Sequence, residues 1–392
     1  MSNPKLFLVL GIRPDVIRAS IIIRELRSRL GEQFKLVWSG QHYSDNLKDI
    51  FFRELGLAPP EIELGITGKS DSELVASVIE KLSIVLKNEQ PAAVVFLGDT
   101  NTVTGSIAAA QLNIPIVHIE GCMRSYDWRM PEEKYRTIAD HLSDLIYAYV
   151  DDYKSQGLAE GIPSENIVVT GNPIVDILQE YFLSGKLRMP SSQFAELIES
   201  KYGVNREDYF VMTCHRRENV ESKAALENIF KLVSHCERRI LFPAGYRTQK
   251  MILELNVSLP KNLVLVDPVG YLELLELIVN SKGVLTDSGT VVEEAAVLGV
   301  PSVQMRTATE RPQVYECGAS IKFDPFSSVN HEEIISKLLT LNQSDWVHPF
   351  GDGNASYRIV DDLIKRLRNN DFRGHDPRKY RPFSDKAFMY DF

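Results

Sequence analysis

Short runs of β-branched and aliphatic residues alternate along the chain with longer segments whose apolar residues recur every three or four positions. The short runs are typical of buried strands, and the periodic segments are typical of helices that cover them. The predicted strands are Phe7–Leu10, Lys35–Trp38, Ala92–Leu97, Ile116–Ile119, Tyr209–Thr213, Arg239–Phe242, Leu263–Val266, Gly283–Thr286 and Ser302–Met305. The predicted helices are Asp15–Leu30, Tyr43–Leu55, Asp71–Leu86, Thr104–Gln111, Ala224–Ser234, Tyr271–Asn280, Val291–Leu298 and Asn354–Asn369. This β–α–β repetition predicts an α/β fold with parallel sheets and helices on both faces.

The pattern begins again after Gly171-Asn172-Pro173, so the chain of 392 residues divides into two similar halves. A usual size of roughly 150 residues per domain also favours two domains. We expect a first domain over residues 1–172 and a second over 173–353. The stretch Tyr181–Gln193 lacks periodicity and is expected near the hinge, and the residues after the final helix are expected to form a tail.

Composition excludes several classes of function. The net charge of −9, without a basic block, argues against a nucleic-acid partner. The four cysteines have no C-x-x-C spacing, which is typical of reduced thiols in a cytosolic protein. No apolar run approaches the ~18 residues of a membrane span. No cluster has the spacing of a metal site, and the glycine fingerprints of dinucleotide and P-loop proteins are absent, so neither a metal nor another cofactor is expected.

Acidic residues follow two of the predicted strands and begin a later helix. Asp99 and Glu120 each come directly after a strand, and Glu132 lies in Pro131-Glu132-Glu133, a segment typical of a helix start. Because the carboxyl ends of parallel strands meet at one rim of a sheet, these acids are expected to lie together with nearby arginines. Alone, each acid could be a helix cap or a solvated charge; together they suit proton transfer on a charged substrate.

Three further segments offer anion-binding groups. Arg13 lies at the turn between the first strand and helix, which suits a phosphate site or an ordinary helix start. The segment Asp287-Ser288-Gly289-Thr290 offers donors to a diphosphate, with a carboxylate one turn later for ribose hydroxyls; the alternative is a capping box closed by Glu293 or Glu294. His215, followed by two arginines, suits phosphate binding or proton donation, or a surface turn of paired charges. His118, inside an apolar strand, is expected to be a core histidine.

Ten segments in fixed order resemble the non-hydrolysing UDP-N-acetylglucosamine 2-epimerases. They read G-I-R-P-D-V-I-R, S-G-Q-H-Y, L-G-D-T-N-T, H-I-E-G-C-M-R, M-P-E-E-K-Y-R, T-G-N-P, C-H-R-R-E-N, T-D-S-G-T-V-V-E-E, T-E-R-P and P-F-G-D-G-N-A, and the resemblance covers nearly the whole chain. It implies a GT-B-like fold of two Rossmann-like domains facing a cleft, with a C-terminal helix (354–392) crossing back to the first domain. It also implies a cytoplasmic homodimer that binds UDP and a UDP-sugar and supplies activated sugars for surface polysaccharide.

The resemblance further implies a mechanism and a set of site residues. UDP is eliminated to leave a 2-acetamidoglucal, and it then adds back as a proton arrives at carbon 2 from the opposite face. The matching catalytic positions are Asp99, Glu120, Glu132 and His215. The matching substrate-binding positions are Arg13, Arg18, Arg136, Ser288, Gly289, Thr290, Glu294 and Arg311.

The chain departs from many family members at several positions. Ile12, Asp15 and Arg18 replace a threonine, a glutamate and a lysine, and Gly245 replaces a histidine that belongs to an activating site in some bacterial members. The form D-W-R-M-P-E-E also occurs in relatives that form UDP-N-acetyl-L-fucosamine or act on UDP-2,3-diacetamido-glucuronic acid. The substrate therefore stays open among these UDP-sugars. A hydrolysing epimerase, a GT-B glycosyltransferase and a UDP-sugar binder without turnover stay open as well.

Overall fold

The computed structural model describes residues 5–40, 52, 55–186, 188–342 and 345–372. The chain forms two compact units. The first takes in the described parts of 1–124, 128–172 and 354–392, and the second takes in those of 125–127 and 173–353. Each unit is built on its own parallel sheet.

The first unit has short strands separated by helices. Its strands are β1 (Leu6–Leu10), β2 (Phe34–Trp38), β3 (Ile62–Glu63), β4 (Ala93–Leu97), β5 (Ile116–Ile119), β6 (Leu145–Ala148) and β7 (Ile167–Val169). They lie in the order β3-β2-β1-β4-β5-β6-β7, and every pair is parallel. All five residues of β1 and of β4 are buried, as expected of strands covered on both faces.

Among the described residues, five helices connect these strands. They are α1 (Arg13–Leu30), α2 (Asp71–Glu89), α3 (Ser106–Gln111), α4 (Pro131–Leu142) and α5 (Asp151–Ala159). Both α1 and α4 have a proline in their first turn. N–H groups in the first turn of a helix have no acceptor within the helix, so a proline, which lacks the N–H, loses no hydrogen bond there. One face of the sheet packs against α2, where Val78 and Leu82 join Phe7 and Val9 in a single apolar cluster.

The second unit repeats this plan. Its strands are β8 (Tyr209–Thr213), β9 (Arg239–Pro243), β10 (Leu263–Val266), β11 (Val284–Thr286), β12 (Ser302–Met305) and β13 (Ser320–Phe323). Their order is β10-β9-β8-β11-β12-β13, again with parallel pairs throughout. The order reverses between β8 and β11, just as it reverses between β1 and β4 in the first sheet.

The helices of the second unit cover both faces of this sheet. They are α6 (Pro173–Ile177), α7 (Ser191–Tyr202), α8 (Arg217–Val220), α9 (Lys223–Ser234), α10 (Tyr246–Glu254), α11 (Tyr271–Val279), α12 (Gly289–Val297), α13 (Gln313–Glu316) and α14 (His331–Thr340). A π-helical turn, Leu178–Leu183, follows α6. The core of the unit gathers Phe210, Met212, Leu226, Ile229 and Phe242.

The last described helix, α15 (Ala355–Asn369), belongs to the first unit. Its buried residues recur at helical spacing and face α1, and Arg24 and Arg29 of α1 bond Tyr357 and Asp361 of α15. The return of this helix to the first unit is therefore confirmed, as is the expected fold class of two parallel α/β sheets. None of the described helices is long and apolar enough to cross a membrane.

Two expectations about segments need correction. The stretch Tyr181–Gln193 was expected to be irregular and near the hinge, but it lies within the second unit and both of its ends are helical. Its serine and glycine residues mark a turn between two helices. The predicted helix Thr104–Gln111 is divided: a 3₁₀ turn, Asn101–Gly105, precedes α3, since β-branched residues and glycine disfavour a regular α-helix there.

Other expectations were incomplete or lie outside the described residues. Strands β6, β7 and β13 have only three or four residues each and were not predicted. Most of the predicted helix Tyr43–Leu55 and nearly all of the predicted tail after α15 fall outside the described part of the chain.

Candidate active site

The predicted acids of the first unit follow neighbouring strands at the sheet's carboxyl edge. Asp99 comes after β4 and Glu120 after β5, while Arg13 begins the helix that follows β1. Strands β1 and β4 are the adjacent pair at which the strand order reverses. A crevice opens at such a point in open α/β sheets because the connections leave in opposite directions. The sheet therefore brings these three loops to one rim.

Arg18 and Glu120 form a direct ion pair in the interior. The Arg18 guanidinium also bonds Asp15 Oδ1 at 2.8 Å, and the Tyr149 hydroxyl donates to Glu120 Oε2 at 2.9 Å. The side chains of Arg18, Asp15 and Glu120 are 6%, 0% and 1% exposed. Two donors thus fix the Glu120 carboxylate in one orientation.

Glu120 also has an unusual backbone conformation, with φ of +74°. Bulky residues rarely occupy this left-handed region, and such strain persists where the surrounding structure enforces it. Here the Glu120 amide donates to the Tyr147 carbonyl at 3.0 Å, which extends the pairing of β5 with β6 by one residue. The strand end thus turns sharply at the residue that carries the acid.

Asp99 has a second buried arginine as its partner. Arg136 of α4 is fully buried, bonds the Asp99 carboxylate, and bonds Glu133 Oε2 at 2.8 Å. The Asp99 side chain is 21% exposed, so its carboxylate reaches the surface from a buried support. Glu132, the neighbour of Glu133 in the first turn of α4, is half-buried, and so is Arg13 in the first turn of α1.

Asp15 is a site residue that the sequence did not single out. Its burial raises its pKa to about 6, the Arg18 guanidinium opposes that rise, and the nearby Asp99 carboxylate adds to it. Asp15 Oδ2 is buried and has no hydrogen-bond partner among the described residues. In the sequence Asp15 has the ordinary position of an acid at a helix start, which conceals its pairing with Arg18.

In the second unit, His215 follows β8 and pairs with a carboxylate that follows β11. His215 Nδ1 lies 3.2 Å from Asp287 Oδ1, and the backbone N–H groups of His215 and Arg216 also donate to this carboxylate. The His215 side chain is 60% exposed, although Asp287 is fully buried. Desolvation of the Nδ1 side disfavours the charged imidazole, but the Asp287 carboxylate outweighs it and raises the pKa of His215.

Asp287 was named in the sequence only as the start of the segment that offers donors to a diphosphate, and its pairing with His215 was not predicted. Burial opposes its charge, yet His215 and the surrounding N–H donors hold its pKa below the usual range. Asn219 Nδ2 also donates to it at 3.1 Å, and the Arg216 side chain donates to its carbonyl at 3.0 Å. The available signal was its position at a strand end beside the reversal of strand order. Asp287 thus anchors the loop that carries His215.

Ser288 caps the N-terminus of α12, and its hydroxyl accepts from the Val291 amide at 3.3 Å. The Ser288 amide donates to the Thr286 hydroxyl at 2.9 Å, so a capping box in which Glu293 or Glu294 accepts from that amide is wrong. Glu293 pairs with Arg311 at 2.7 Å, and Glu294 accepts from the Tyr271 hydroxyl at 2.7 Å. The helix therefore begins with a side-chain cap, and its acids lie one turn inside.

Gly289 makes room for Arg311 at the start of α12. A Cβ atom at Gly289 would lie 2.5 Å from Arg311 Nη1 and 2.8 Å from Cζ. Arg311 is buried, and Glu310 beside it pairs with Arg306 at 2.5 Å. The guanidinium thus lies against the first turn of the helix, next to the half-buried Thr290. A helix N-terminus with an adjacent arginine suits a bound phosphate.

The part of the chain that the structure describes contains no group of three or more histidine, cysteine, aspartate or glutamate side chains that could hold a metal ion.

Comparison with known proteins identifies the family. The sequence model of the UDP-N-acetylglucosamine 2-epimerase family matches residues 24–364. The chain belongs to this family. It is thus an isomerase, and the resemblance seen in the ten ordered segments is confirmed.

Individual family members match the chain over nearly its whole length. The UDP-N-acetylglucosamine 2-epimerase of Methanocaldococcus jannaschii is 38% identical over 368 residues, covering 91% of this chain and 98% of that protein. Its crystal structure with UDP-GlcNAc and UDP superposes with a TM-score of 0.83, at 36% identity, over 92% of this chain and 99% of that chain. The UDP-2,3-diacetamido-2,3-dideoxy-D-glucuronate 2-epimerase of Pseudomonas aeruginosa is 32% identical, over 92% of this chain and 99% of that protein.

The His215–Asp287 pair of this family member predicts a titration that NMR can follow. We expect the His215 imidazole to titrate above the ordinary value of about 6.5, and Asp287→Asn to lower that midpoint. Since the pKa is raised on folding, the pair stabilises the protein fully below about pH 6.5 and less as the pH rises through the folded-state value.

His331 provides the internal control, because its pKa is lowered by burial and by the charges of Lys231 and His235 rather than by Asp287. Its midpoint should be the same in both proteins. A His215 midpoint that is ordinary in the wild type, or unmoved by Asp287→Asn, would contradict the ion pair.

Proposed function

We propose that this epimerase inverts carbon 2 of a UDP-N-acetylhexosamine without hydrolysis, converting UDP-N-acetylglucosamine to UDP-N-acetylmannosamine. The observation that carries the proposal is the pair of arginine-bound carboxylates, Asp99 and Glu120, at the ends of adjacent strands. Inverting a C–H bond requires removal of a proton on one face and delivery on the other. Two acids held rigidly on neighbouring loops suit this task.

The reaction needs no net oxidation and no added reactant. A carboxylate takes the proton from carbon 2, and the bond between carbon 1 and the UDP oxygen breaks. UDP leaves with the bonding electrons, and a 2-acetamidoglucal remains. UDP then re-forms the bond to carbon 1 while a carboxylic acid protonates carbon 2 from the opposite face. Epimerisation rather than hydrolysis results when water is kept from the glycal.

We assign Asp99, Glu120 and Glu132 to the proton transfers. Asp99 is the more exposed of the two arginine-paired acids, and the buried Arg136 forms an ion pair with it. Glu120 is oriented by Arg18 and Tyr149, and Glu132 lies in the first turn of α4. Arg18 and Arg136 match substrate-binding positions of the family; their buried pairing with acids favours a role in holding these acids.

We assign the diphosphate and ribose of UDP to residues that follow β8 and β11. Ser288, Gly289 and Thr290 offer N–H groups at the start of α12, and Arg311 supplies a positive charge beside them. His215, whose pKa is raised by Asp287, suits the developing charge on the departing diphosphate. Glu294, one turn into α12, suits the ribose hydroxyls, and Arg13 is assigned to phosphate binding as well.

A second candidate substrate is a UDP-2,3-diacetamido-glucuronic acid. It is favoured by the 32% identity to the Pseudomonas aeruginosa epimerase that is named for this sugar. The chemistry at carbon 2 would be the same, and only the groups at carbons 3 and 6 of the sugar would differ. A homodimer in the cytoplasm, feeding surface polysaccharide synthesis, is part of the same proposal.

Proton NMR in deuterated water tests the acids and the substrate together. Each candidate UDP-sugar is incubated with wild type, Asp99→Asn, Glu120→Gln or Glu132→Gln. We expect epimerisation to fall by about 10²-fold or more in each variant, the usual scale for a positioned acid or base. A variant that lacks only the acid of the product face should still exchange the proton at carbon 2 for deuterium without epimerising.

Glu80→Gln is the matched control, since Glu80 is an exposed acid on α2. It should turn over normally. Full activity of folded Asp99→Asn and Glu120→Gln would contradict the proposal. Release of free sugar in place of epimer would instead support a hydrolysing enzyme.

The start of α12 generates a separate prediction for UDP binding. Gly289→Ala places a Cβ atom where the Arg311 guanidinium lies, so Arg311 must move. Losing a hydrogen bond to a charged group costs roughly 1.5–3 kcal/mol, so we expect UDP affinity to fall about tenfold or more. Calorimetry measures this directly.

Ser234→Ala is the control for that experiment. Ser234 is an exposed residue at the end of α9 in the same unit, and its hydroxyl donates to the Lys231 carbonyl of its own helix. Its affinity for UDP should equal that of wild type. Equal affinity in Gly289→Ala would remove the start of α12 from the UDP site.

A further inference from the structure

A buried histidine–aspartate pair lies directly behind the two acid-bearing loops. His118 of β5 and Asp140 of α4 are both fully buried, and His118 Nδ1 lies 2.7 Å from Asp140 Oδ1. The other ring nitrogen, Nε2, lies 2.8 Å from the carbonyl oxygen of Gly98, the residue before Asp99. One side chain thus connects α4 with the turn that carries a proposed acid.

Both partners of the His118 ring are hydrogen-bond acceptors. A carbonyl oxygen can only accept, so Nε2 must carry a proton to bond Gly98. Burial disfavours charge on Asp140, but the His118 ring and the Arg124 guanidinium hold its pKa below the usual value. The carboxylate accepts from Arg124 and lies within hydrogen-bond distance of Nδ1. The ring thus joins the Gly98 carbonyl to the Asp140 carboxylate.

Asp140 also holds the segment that follows Glu120. Its Oδ2 accepts from the Cys122 amide at 2.9 Å and from Arg124 Nη1 at 2.7 Å. Cys122, like Glu120, has a positive φ, of +64°, so this segment needs support from outside its own backbone. Arg124 is held in turn by Glu160, which also lies 3.4 Å from His141.

The intervening Gly121 lies against the pair itself. A Cβ atom at this position would be 2.6 Å from Asp140 Oδ1 and 3.2 Å from His118 Nδ1. The loop after Glu120 can therefore approach the buried pair only with a glycine here. The side chains of His118 and Asp140 thus contact Gly121 and bond the backbone of Gly98 and Cys122.

We propose that His118 and Asp140 are positioning residues that set the separation of the Asp99 and Glu120 turns. The inference rests on the proposed function, since it concerns the acids assigned there. Neither residue reaches the rim, so neither is expected to touch the substrate. Proton transfer depends steeply on placement, and a displacement of about 1 Å can cost 10²-fold in rate.

Two substitutions each remove one of the two hydrogen bonds of the His118 ring, the one to Gly98 or the one to Asp140. The amide of His118→Gln can reach towards the Gly98 carbonyl, as Nε2 does, and that of His118→Asn can reach towards Asp140, as Nδ1 does. Each keeps one bond and loses the other. We expect kcat to fall about 10- to 10²-fold in both, with KM changed by less than about twofold, because the interactions lost are not with bound substrate. His235→Gln, on the surface of the second unit, should leave both constants unchanged.

Two measurements do not depend on turnover. Nitrogen-15 NMR of the histidine-labelled wild-type protein should show a proton on Nε2 of His118, assigned by its loss in either variant. Hydrogen exchange should show faster exchange of the Cys122 amide in His118→Gln, where Asp140 loses its ring partner. These readouts stand even if one variant folds poorly.

The possible outcomes separate this inference from the proposed function. A His118 ring without a proton on Nε2 in the wild type would overturn its hydrogen bond to Gly98 and with it the inference. Unchanged kcat in folded His118→Gln and His118→Asn, with Asp99→Asn inactive, would overturn the positioning role and leave the proposed function standing. Full activity in Asp99→Asn and Glu120→Gln would overturn both. A fall in kcat in both histidine variants at constant KM, together with an Nε2–H signal in the wild type, supports the inference.

Discussion

The buried ion pair between Arg18 and Glu120 is the interaction on which the proposed chemistry most depends. Transferring two charged groups from water to the protein interior is costly, and deleting one partner of a buried ion pair typically costs about 3–5 kcal/mol of stability. Asp15 and Tyr149 complete the bonding around this pair. The pair adds little net stability in general. Its consequence here is orientation, because Glu120 is held on a strained backbone at the end of β5.

The two units share a reversal of strand order but place different chemical groups beside it. In each sheet the strand order reverses beside the first strand, and the polar side chains follow the strands on either side of the reversal. The first unit places arginine-bound carboxylates there, and the second places His215, Asp287 and the start of α12. The Asp287 carboxylate is fully buried and holds the loop of His215 through its hydrogen bonds. The Asp99 carboxylate is partly exposed, which suits a group that reacts with substrate.

The sequence predicts those parts of the fold and site that are local. Runs such as Ile116–Ile119 are continuous and apolar because both faces of a parallel strand are covered, so they can be found by eye. Asp99 and Glu120 could be selected because each directly follows such a run. The pairing of Glu120 with Arg18 could not be selected in this way, since Arg18 is distant in sequence and matched the family only as a substrate-binding position. Asp15 occupies a position that is ordinary for the start of a helix. The positive φ of Glu120 could not be predicted from the sequence, because glycine is the residue whose presence usually indicates that conformation.

The Arg18–Glu120 ion pair can be tested most directly by the rate of epimerisation, followed by proton NMR, in Arg18→Met and Arg18→Lys. Methionine removes the charge and keeps much of the side-chain volume, whereas lysine keeps the charge and loses the forked geometry. We expect Arg18→Met to epimerise about 10²-fold more slowly than wild type, Arg18→Lys to fall between them, and UDP affinity to be similar in all three. Normal epimerisation in folded Arg18→Met would contradict the claim that this buried ion pair positions the acid.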